Sequence, residues 1–312
     1  MNETEFSIII PVFNGEKYIK ECIESAVSQS FKGKYEIIVV NDGSEDKTEE
    51  IIKKFDDKKI KVYKNKNGGL AYSRNFGNSK AKGKYIIYLD ADDYLDKNAL
   101  QIFYDKNKAK DKADVILAPY YAKREHKGDL KLYFPLKNFA ERQGFINIKN
   151  TDGEILNTNF EAWGKAYKRD FILKKNVQSP IIHLAEDLPL FYKVFASSEK
   201  ILLCKKPVYF YRKGHKQPYA KGRRDWIEET IKAILTSEEE AKKYKNFSLI
   251  EKHYAKNALK VCTFWMKEFR KLENKDKFYK FACNYLEKFG LRGKFCIKVF
   301  FNNLIDILQN KN

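Results

Sequence analysis

Apolar and polar positions alternate between two rhythms over the first hundred residues. Phe6-Ser7-Ile8-Ile9-Ile10-Pro11-Val12 is a short apolar run that reads as a strand. From about Glu16 to Ser30, Tyr18, Ile19, Cys22, Ile23, Ala26 and Val27 recur at helical spacing on one face. Tyr35 to Val40 is a second strand, about Lys47 to Phe55 a second helix, and Ile60 to Tyr63 a shorter third strand. A turn at Asn67-Gly68-Gly69 precedes a helix that runs through about Ala81. Ile86-Ile87-Tyr88-Leu89, bounded by Gly83, is a continuous apolar run of the kind buried on both faces of a parallel sheet. This alternation predicts an α/β fold, a mostly parallel sheet with helices on both faces.

Ligands of such sheets bind outside the carboxyl ends of the strands. Here the first strand ends at Pro11-Val12-Phe13-Asn14-Gly15, the second at Asn41-Asp42-Gly43-Ser44 and the fourth at Asp90-Ala91-Asp92-Asp93. All three segments are predicted at one edge, where they would share a pocket. Three carboxylates within four residues repel one another unless a cation sits among them. A solvated acidic turn before a helix capped by Asp96 is the plainer alternative.

The later chain is less regular. A helix is expected from about Asn98 to Asp114 and a strand at Val115 to Ala118, followed by an irregular, charged connection over about 122 to 150. Glu186-Asp187 opens an amphipathic helix carrying Leu190, Phe191, Val194 and Phe195. Ile201 to Leu203 and Val208 to Tyr211 read as a pair of strands. Glycine, proline and charge cluster between Lys213 and Gly222, a domain boundary beyond which the pattern is all helical. The expected division is 1–215, with halves at 1–97 and 98–215, and a helical C-terminal region over 216–312. Its last stripe is Ile297, Phe300, Phe301, Leu304, Ile305 and Leu308. That stripe could pack on the rest of the chain, form a homo-oligomer face, or lie on a membrane surface.

Composition narrows the partners. Apolar residues make up 43% of the 312 and aromatics 15%, enough for a real core. The formal net charge of +19 admits nucleic acid, anionic membrane and phosphorylated substrates. The cations are mostly dispersed lysines, and no helix-turn-helix, zinc or RNA-recognition signature accompanies them, which argues against nucleic acid. Cys22, Cys204, Cys262, Cys283 and Cys296 include no C-x-x-C pair, so reduced thiols and a cytoplasmic location are expected. No signal peptide or run of membrane-spanning length is visible.

The ordered set Pro11-Val12-Phe13-Asn14-Gly15, Val40-Asn41-Asp42-Gly43-Ser44, Asn67-Gly68-Gly69 to Arg74-Asn75, Asp90-Ala91-Asp92-Asp93 and Glu186-Asp187 resembles the GT-A fold, family 2 glycosyltransferases of bacterial polysaccharide biosynthesis. The resemblance covers roughly residues 5 to 215. It implies transfer of a sugar from a nucleotide diphosphate, a UDP-sugar by the match at Asp42, to a hydroxyl of a saccharide or lipid-linked acceptor, with inversion. It implies Mn²⁺ or Mg²⁺ on the leaving diphosphate. Asp92 is the implied direct metal ligand and Asp90 lies nearer the ribose or a metal-bound water. His215 is a third metal ligand or diphosphate contact, or a solvated loop histidine. Pro11, Phe13 and Asp42 contact the base and ribose, with Glu16, Gly69, Arg74 and Ala91 also on the donor. Glu16 could instead serve a helix N-terminus, and Asp93 either orients the sugar or caps a helix. Asp187 is the implied general base, with Glu186 positioning it. Trp163 and Gly164 are candidates for the acceptor, with a core role open to the tryptophan. A lipid-linked acceptor would bring the protein to the inner face of the cytoplasmic membrane. The alternative is a non-catalytic nucleotide-sugar or carbohydrate-binding protein of the same fold.

Overall fold

A computed structural model describes residues 3–108, 113–124, 128–134, 136, 144–214, 226–245 and 247–299. The strands are β1 (Phe6–Val12), β2 (Tyr35–Asn41), β3 (Ile60–Lys64), β4 (Tyr85–Tyr88), β5 (Tyr94–Leu95), β6 (Val115–Leu117), β7 (Tyr120–Arg124), β8 (Leu130–Tyr133), β9 (Lys165–Lys168), β10 (Ile201–Leu203) and β11 (Tyr209–Lys213). The helices are α1 (Ile19–Val27), α2 (Thr48–Ile52), α3 (Leu70–Lys80), α4 (Ala99–Lys108), α5 (Arg169–Lys174), α6 (Asp187–Ser197), α7 (Trp226–Lys242), α8 (Phe247–Glu268) and α9 (Lys275–Glu287).

The central sheet has the order β10-β6-β9-β4-β1-β2-β3. β1 pairs in parallel with β2 and β4, β2 with β3, and β6 with β10, as the alternation predicts. β9 runs antiparallel between β4 and β6 and was not expected from the sequence. Side chains of successive strand residues go to opposite faces. Ile9, Ile38, Ile86 and Tyr88 therefore share one core with Leu188, Phe191, Phe195 and the helices α7 to α9. Ile8, Ile10, Ile37, Val39, Ile87 and Leu89 build the other, against α1 and α4. The C-terminal helices thus continue one face of the central sheet.

Two expectations are corrected by the second sheet, β5-β11-β7-β8. Part of the stretch read as an irregular connection forms the antiparallel pair β7 and β8. Its abundant lysines hid the alternation, because β8 is an edge strand and largely exposed. The stretches read as a strand pair, β10 and β11, lie in different sheets: β10 joins β6, and β11 runs between β5 and β7. Of the last apolar stripe, all but Ile297 falls outside the described residues, and Ile297 is exposed.

Helix α3 lies so close to β1 that a Cβ on Gly77 would stand 2.5 Å from Ile9 Cγ2. Ile9 is fully buried and has no room to retreat. Alanine in place of a helical glycine ordinarily gains about 1 kcal/mol. Gly77→Ala is expected to do the reverse and lose about 1–3 kcal/mol in urea unfolding, because the added methyl overpacks the core. A gain would show that α3 rides more loosely on the sheet.

Candidate active site

The expected shared edge is present. Asp42 N–H donates to Val12 O at 2.8 Å, locking the ends of β1 and β2 together. Asn14 N–H donates to Ser44 Oγ at 3.0 Å, and Glu45 N–H returns a bond to Asn14 Oδ1 at 2.8 Å. Asn14 holds a positive φ of 50°, which asparagine tolerates better than most residues. The position that a Cβ on Gly15 would take lies 3.8 Å from Ala91 Cβ, so the acidic loop after β4 adjoins the first loop. Phe13, 47% exposed, presents an aromatic face beside Pro11 at the end of β1.

Several side chains expected to touch a donor are instead part of the frame. Both carboxylate oxygens of Asp42 accept backbone bonds, from Gly68 at 2.9 Å and Gly69 at 2.7 Å, and so set the turn that opens α3. Gly69 has φ 87°, and a Cβ there would also meet His183 Nδ1 at 3.0 Å. Glu16 Oε2 accepts from Lys47 N–H at 3.1 Å, at the front of α2 rather than of the helix that follows Glu16 in the chain. Asp93 neither caps a helix nor stands open to a sugar. It is buried, its oxygens accepting from Tyr209 Oη at 2.8 Å and Arg212 N–H at 2.7 Å. Tyr209 Oη also accepts from Asp90 N–H at 3.2 Å, so one phenol ties the acidic loop to β11. The helix-capping carboxylate is that of Asp96, which accepts from Asn98 N–H at 2.8 Å.

Trp163 also departs from expectation. It is 3% exposed, stacked on Tyr209 at 4.6 Å between centroids and edge-on to Tyr120 at 4.7 Å. A ring committed to these partners is a core tryptophan and offers no open face to an acceptor sugar. Gly164 holds φ 71° at the start of β9, and its carbonyl accepts from Ala118 N–H at 3.1 Å. His215 lies outside the described residues.

The centre of the site is Arg74. The sequence suggested a contact to base or phosphate, but the side chain is 0% exposed and faces three carboxylates. Its guanidinium bonds Asp187 Oδ1, reaches Asp90 Oδ1 at 2.8 Å and lies 3.4 Å from Glu186 Oε1. Asp90 comes from the end of β4, and Glu186 and Asp187 from the front of α6, so one cation joins the acidic loop to the Glu-Asp pair. The second oxygen of Asp187 accepts from Ala162 N–H at 3.1 Å. Ala185, just before the pair, is held at φ 60°, a left-handed conformation that costs an alanine about 1–2 kcal/mol. Strain at that point aims the two carboxylates inward.

One guanidinium does not balance this much acid. Burial disfavours the charged form and pushes Asp90 up to about 6, Asp92 and Asp187 adding to the rise and Arg74 opposing it. Burial likewise pushes Glu186 up to about 7, with repulsion from Asp187 behind it. Burial works against the charge of Arg74, but Asp187, Asp90 and Glu186 outweigh it and hold the guanidinium protonated. Among the described residues, no three His, Cys, Asp or Glu side chains converge to hold a metal unaided. A hard dication needs few protein oxygens when phosphates supply the rest. The surplus negative charge at Asp90 and Asp92 fits such an ion.

Since Glu186 takes up its proton more readily folded than unfolded, it subtracts stability as pH rises from about 4.3 towards its folded value. Glu186→Gln is therefore expected to raise unfolding free energy by about 1–3 kcal/mol at pH 8. The gain should vanish at pH 4, where the wild-type carboxyl is already neutral. Urea titrations at the two pH values test this; equal effects at both would contradict the buried-charge account.

Comparison with known proteins fits this geometry. Residues 7–173 match the family model described as glycosyl transferase family 2. Glycosyltransferase GlyA of Streptococcus pneumoniae is 32% identical over 217 residues, 67% of this chain but 31% of that protein. The cholesterol galactosyltransferase of Borreliella burgdorferi is 32% identical over 224 residues, 68% of this chain and 60% of that one. This chain thus spans less than two thirds of the length of both these relatives. Glycosyltransferase GlyG of Streptococcus pneumoniae is 31% identical over 66% of this chain and 70% of its own length. Among solved structures, S. aureus TarS 1–349 in complex with UDP-GlcNAc matches with TM-score 0.66 and 21% identity, covering 91% of this chain and 80% of that one. That likeness establishes the GT-A fold expected from the sequence. With the family model covering more than half of its residues, the chain belongs to glycosyl transferase family 2.

Proposed function

We propose that the protein is an inverting glycosyltransferase that uses a UDP-sugar and Mn²⁺ or Mg²⁺, with Asp187 as general base. The observation that carries this reading is the Arg74 cluster, which brings the acidic loop and the Glu186-Asp187 pair to one point at the carboxyl edge of the sheet. One protein of the same fold, S. aureus TarS 1–349, has been crystallised with UDP-GlcNAc and with UDP, which supports a uridine nucleotide as the donor carrier. Pro11 and Phe13 offer the apolar slot for the base, beside the turn that Asp42 sets. Asp92, with Asp90, would hold the metal, which supplies charge neutralisation for the leaving diphosphate.

The base assignment follows from the bonds of Asp187. Arg74 holds its Oδ1 and the Ala162 N–H its Oδ2, which fixes the carboxylate in the site. An ionised carboxylate at the mouth of the site can take the acceptor hydroxyl's proton as that oxygen attacks the sugar. Attack opposite the diphosphate inverts the anomeric centre. Glu186, less exposed and held towards its neutral form, fills a positioning role. The acceptor is a saccharide or lipid-linked hydroxyl, and a lipid-linked one would place the enzyme at the inner membrane face. No described helix is long and apolar enough to cross a membrane.

Thermal-shift and turnover measurements with a panel of nucleotide sugars, with and without Mn²⁺, test the donor class. A UDP-sugar should stabilise the protein and be consumed only with the ion present. In Asp187→Asn, donor binding should survive while kcat falls at least about a hundredfold, the low end of a general base's contribution. Retained turnover would remove Asp187 from the mechanism. Absence of binding to every nucleotide diphosphate would remove the function.

A further inference from the structure

Lys165 is a lysine where none is expected. It stands on β9, inside the central sheet, 1% exposed, with β4 on one side and β6 on the other. An ammonium is costly to bury, and a strand interior ordinarily takes an apolar side chain there. Its Nζ donates to Glu161 O at 2.5 Å and lies 3.4 Å from Trp163 O. The Glu161 carbonyl belongs to the same peptide unit as the Ala162 N–H, and that N–H donates to Asp187 Oδ2 at 3.1 Å. The next carbonyl, Ala162 O, accepts from Tyr167 Oη at 2.8 Å.

A peptide unit is planar, and in its trans form C=O and N–H point in opposite directions. A cation that fixes the oxygen therefore fixes the hydrogen. It also polarises the group, which makes the N–H a stronger donor. We propose that Lys165 is a positioning residue for the base: through the Glu161–Ala162 peptide it orients the Asp187 carboxylate and stabilises its ionised form. This deepens the glycosyltransferase reading and rests on Asp187 being its base.

The other charges around the pair are accounted for. Asp187 faces Arg74 from α3, Asp90 from the end of β4 and Glu186 beside it, with the buried phenols of Tyr88 and Tyr167 nearby. Lys165 faces Glu161 and Asp187. Burial pushes Glu161 up, towards its neutral form, and its Oε2 has no hydrogen-bond partner among the described residues. Burial pushes Lys165 down to about 8, and the two acids oppose the fall, so the ammonium is present at neutral pH.

The test is the carboxyl carbon resonance of Asp187, followed by pH titration in ¹³C-aspartate-labelled protein and identified by its loss in Asp187→Asn. In Lys165→Met its midpoint should rise by about one pH unit, since the charged form loses a stabilising dipole and a nearby cation. A purely structural Lys165 would lower the melting temperature and leave that midpoint in place, which would overturn the proposal. Should Lys165→Met not fold, the coupling is read from the other end. By reciprocity, Asp187→Asn should lower the midpoint of Lys165 by the same amount, and an unmoved Lys165 would equally overturn the relay. Turnover separates this from the parent reading. If the wild type consumes a UDP-sugar, Lys165→Met should lower kcat about tenfold with donor KM and UDP binding unchanged, and move the acidic limb to higher pH. A wild type that consumes no nucleotide sugar defeats the functional reading, whatever the titration shows. An active wild type with unchanged kcat and midpoint in Lys165→Met defeats only the relay.

Discussion

The structure depends on one buried cation. Arg74 has no contact with solvent and sits among Asp90, Glu186 and Asp187, which lie far apart in the sequence. A buried guanidinium is tolerated where its charge is matched, and both terminal nitrogens of Arg74 face carboxylates. The match obliges β4, α3 and α6 to meet at one point. It also overcompensates, and the surplus acid appears as the raised protonation of Asp90 and Glu186. A site poised with excess negative charge is suited to a dication and its diphosphate.

Around that point the frame is made of short polar bonds from the loops. Asp42 shapes the glycine turn, Asp93 and Tyr209 anchor the acidic loop to the second sheet, and strained Ala185 turns the chain into α6. Asp42 and Asp93 thus have structural duties, and Asp92, Asp90 and Asp187 remain as candidates for the chemistry. Similar residues thus divide the labour within the acidic loop, where Asp93 anchors to β11 and Asp90 meets Arg74.

Much of this was legible in the sequence because it is local. Apolar runs of strand length followed by glycine, asparagine and aspartate mark strand ends, and parallel topology puts those ends on one edge. The pair Glu186-Asp187 was legible as the opening of an amphipathic helix, and its role only through the family resemblance. What the sequence could not show is which distant groups meet. Arg74 read as a donor contact because a helix-borne arginine after a glycine turn carries no mark of its burial. Trp163 read as open to an acceptor because its cover, Tyr209 and Tyr120, comes from strands of the second sheet, and that sheet was hidden in a lysine-rich segment. Lys165 gave a faint signal, a lone cation ahead of Ala166 and Tyr167, but its meaning needs the peptide between it and Asp187.

The most direct test of the account replaces the central cation with an apolar side chain of similar length. Arg74→Met leaves one buried and two half-buried carboxylates without their cation, a loss of about 3–5 kcal/mol in unfolding free energy at pH 8. Because the orphaned acids can then take up protons, a large part of that loss should be recovered at pH 5. Urea unfolding of the variant at the two pH values decides it. Recovery on acidification is the predicted result; a variant as stable as the wild type at pH 8 would contradict the claim that Arg74 holds the site together.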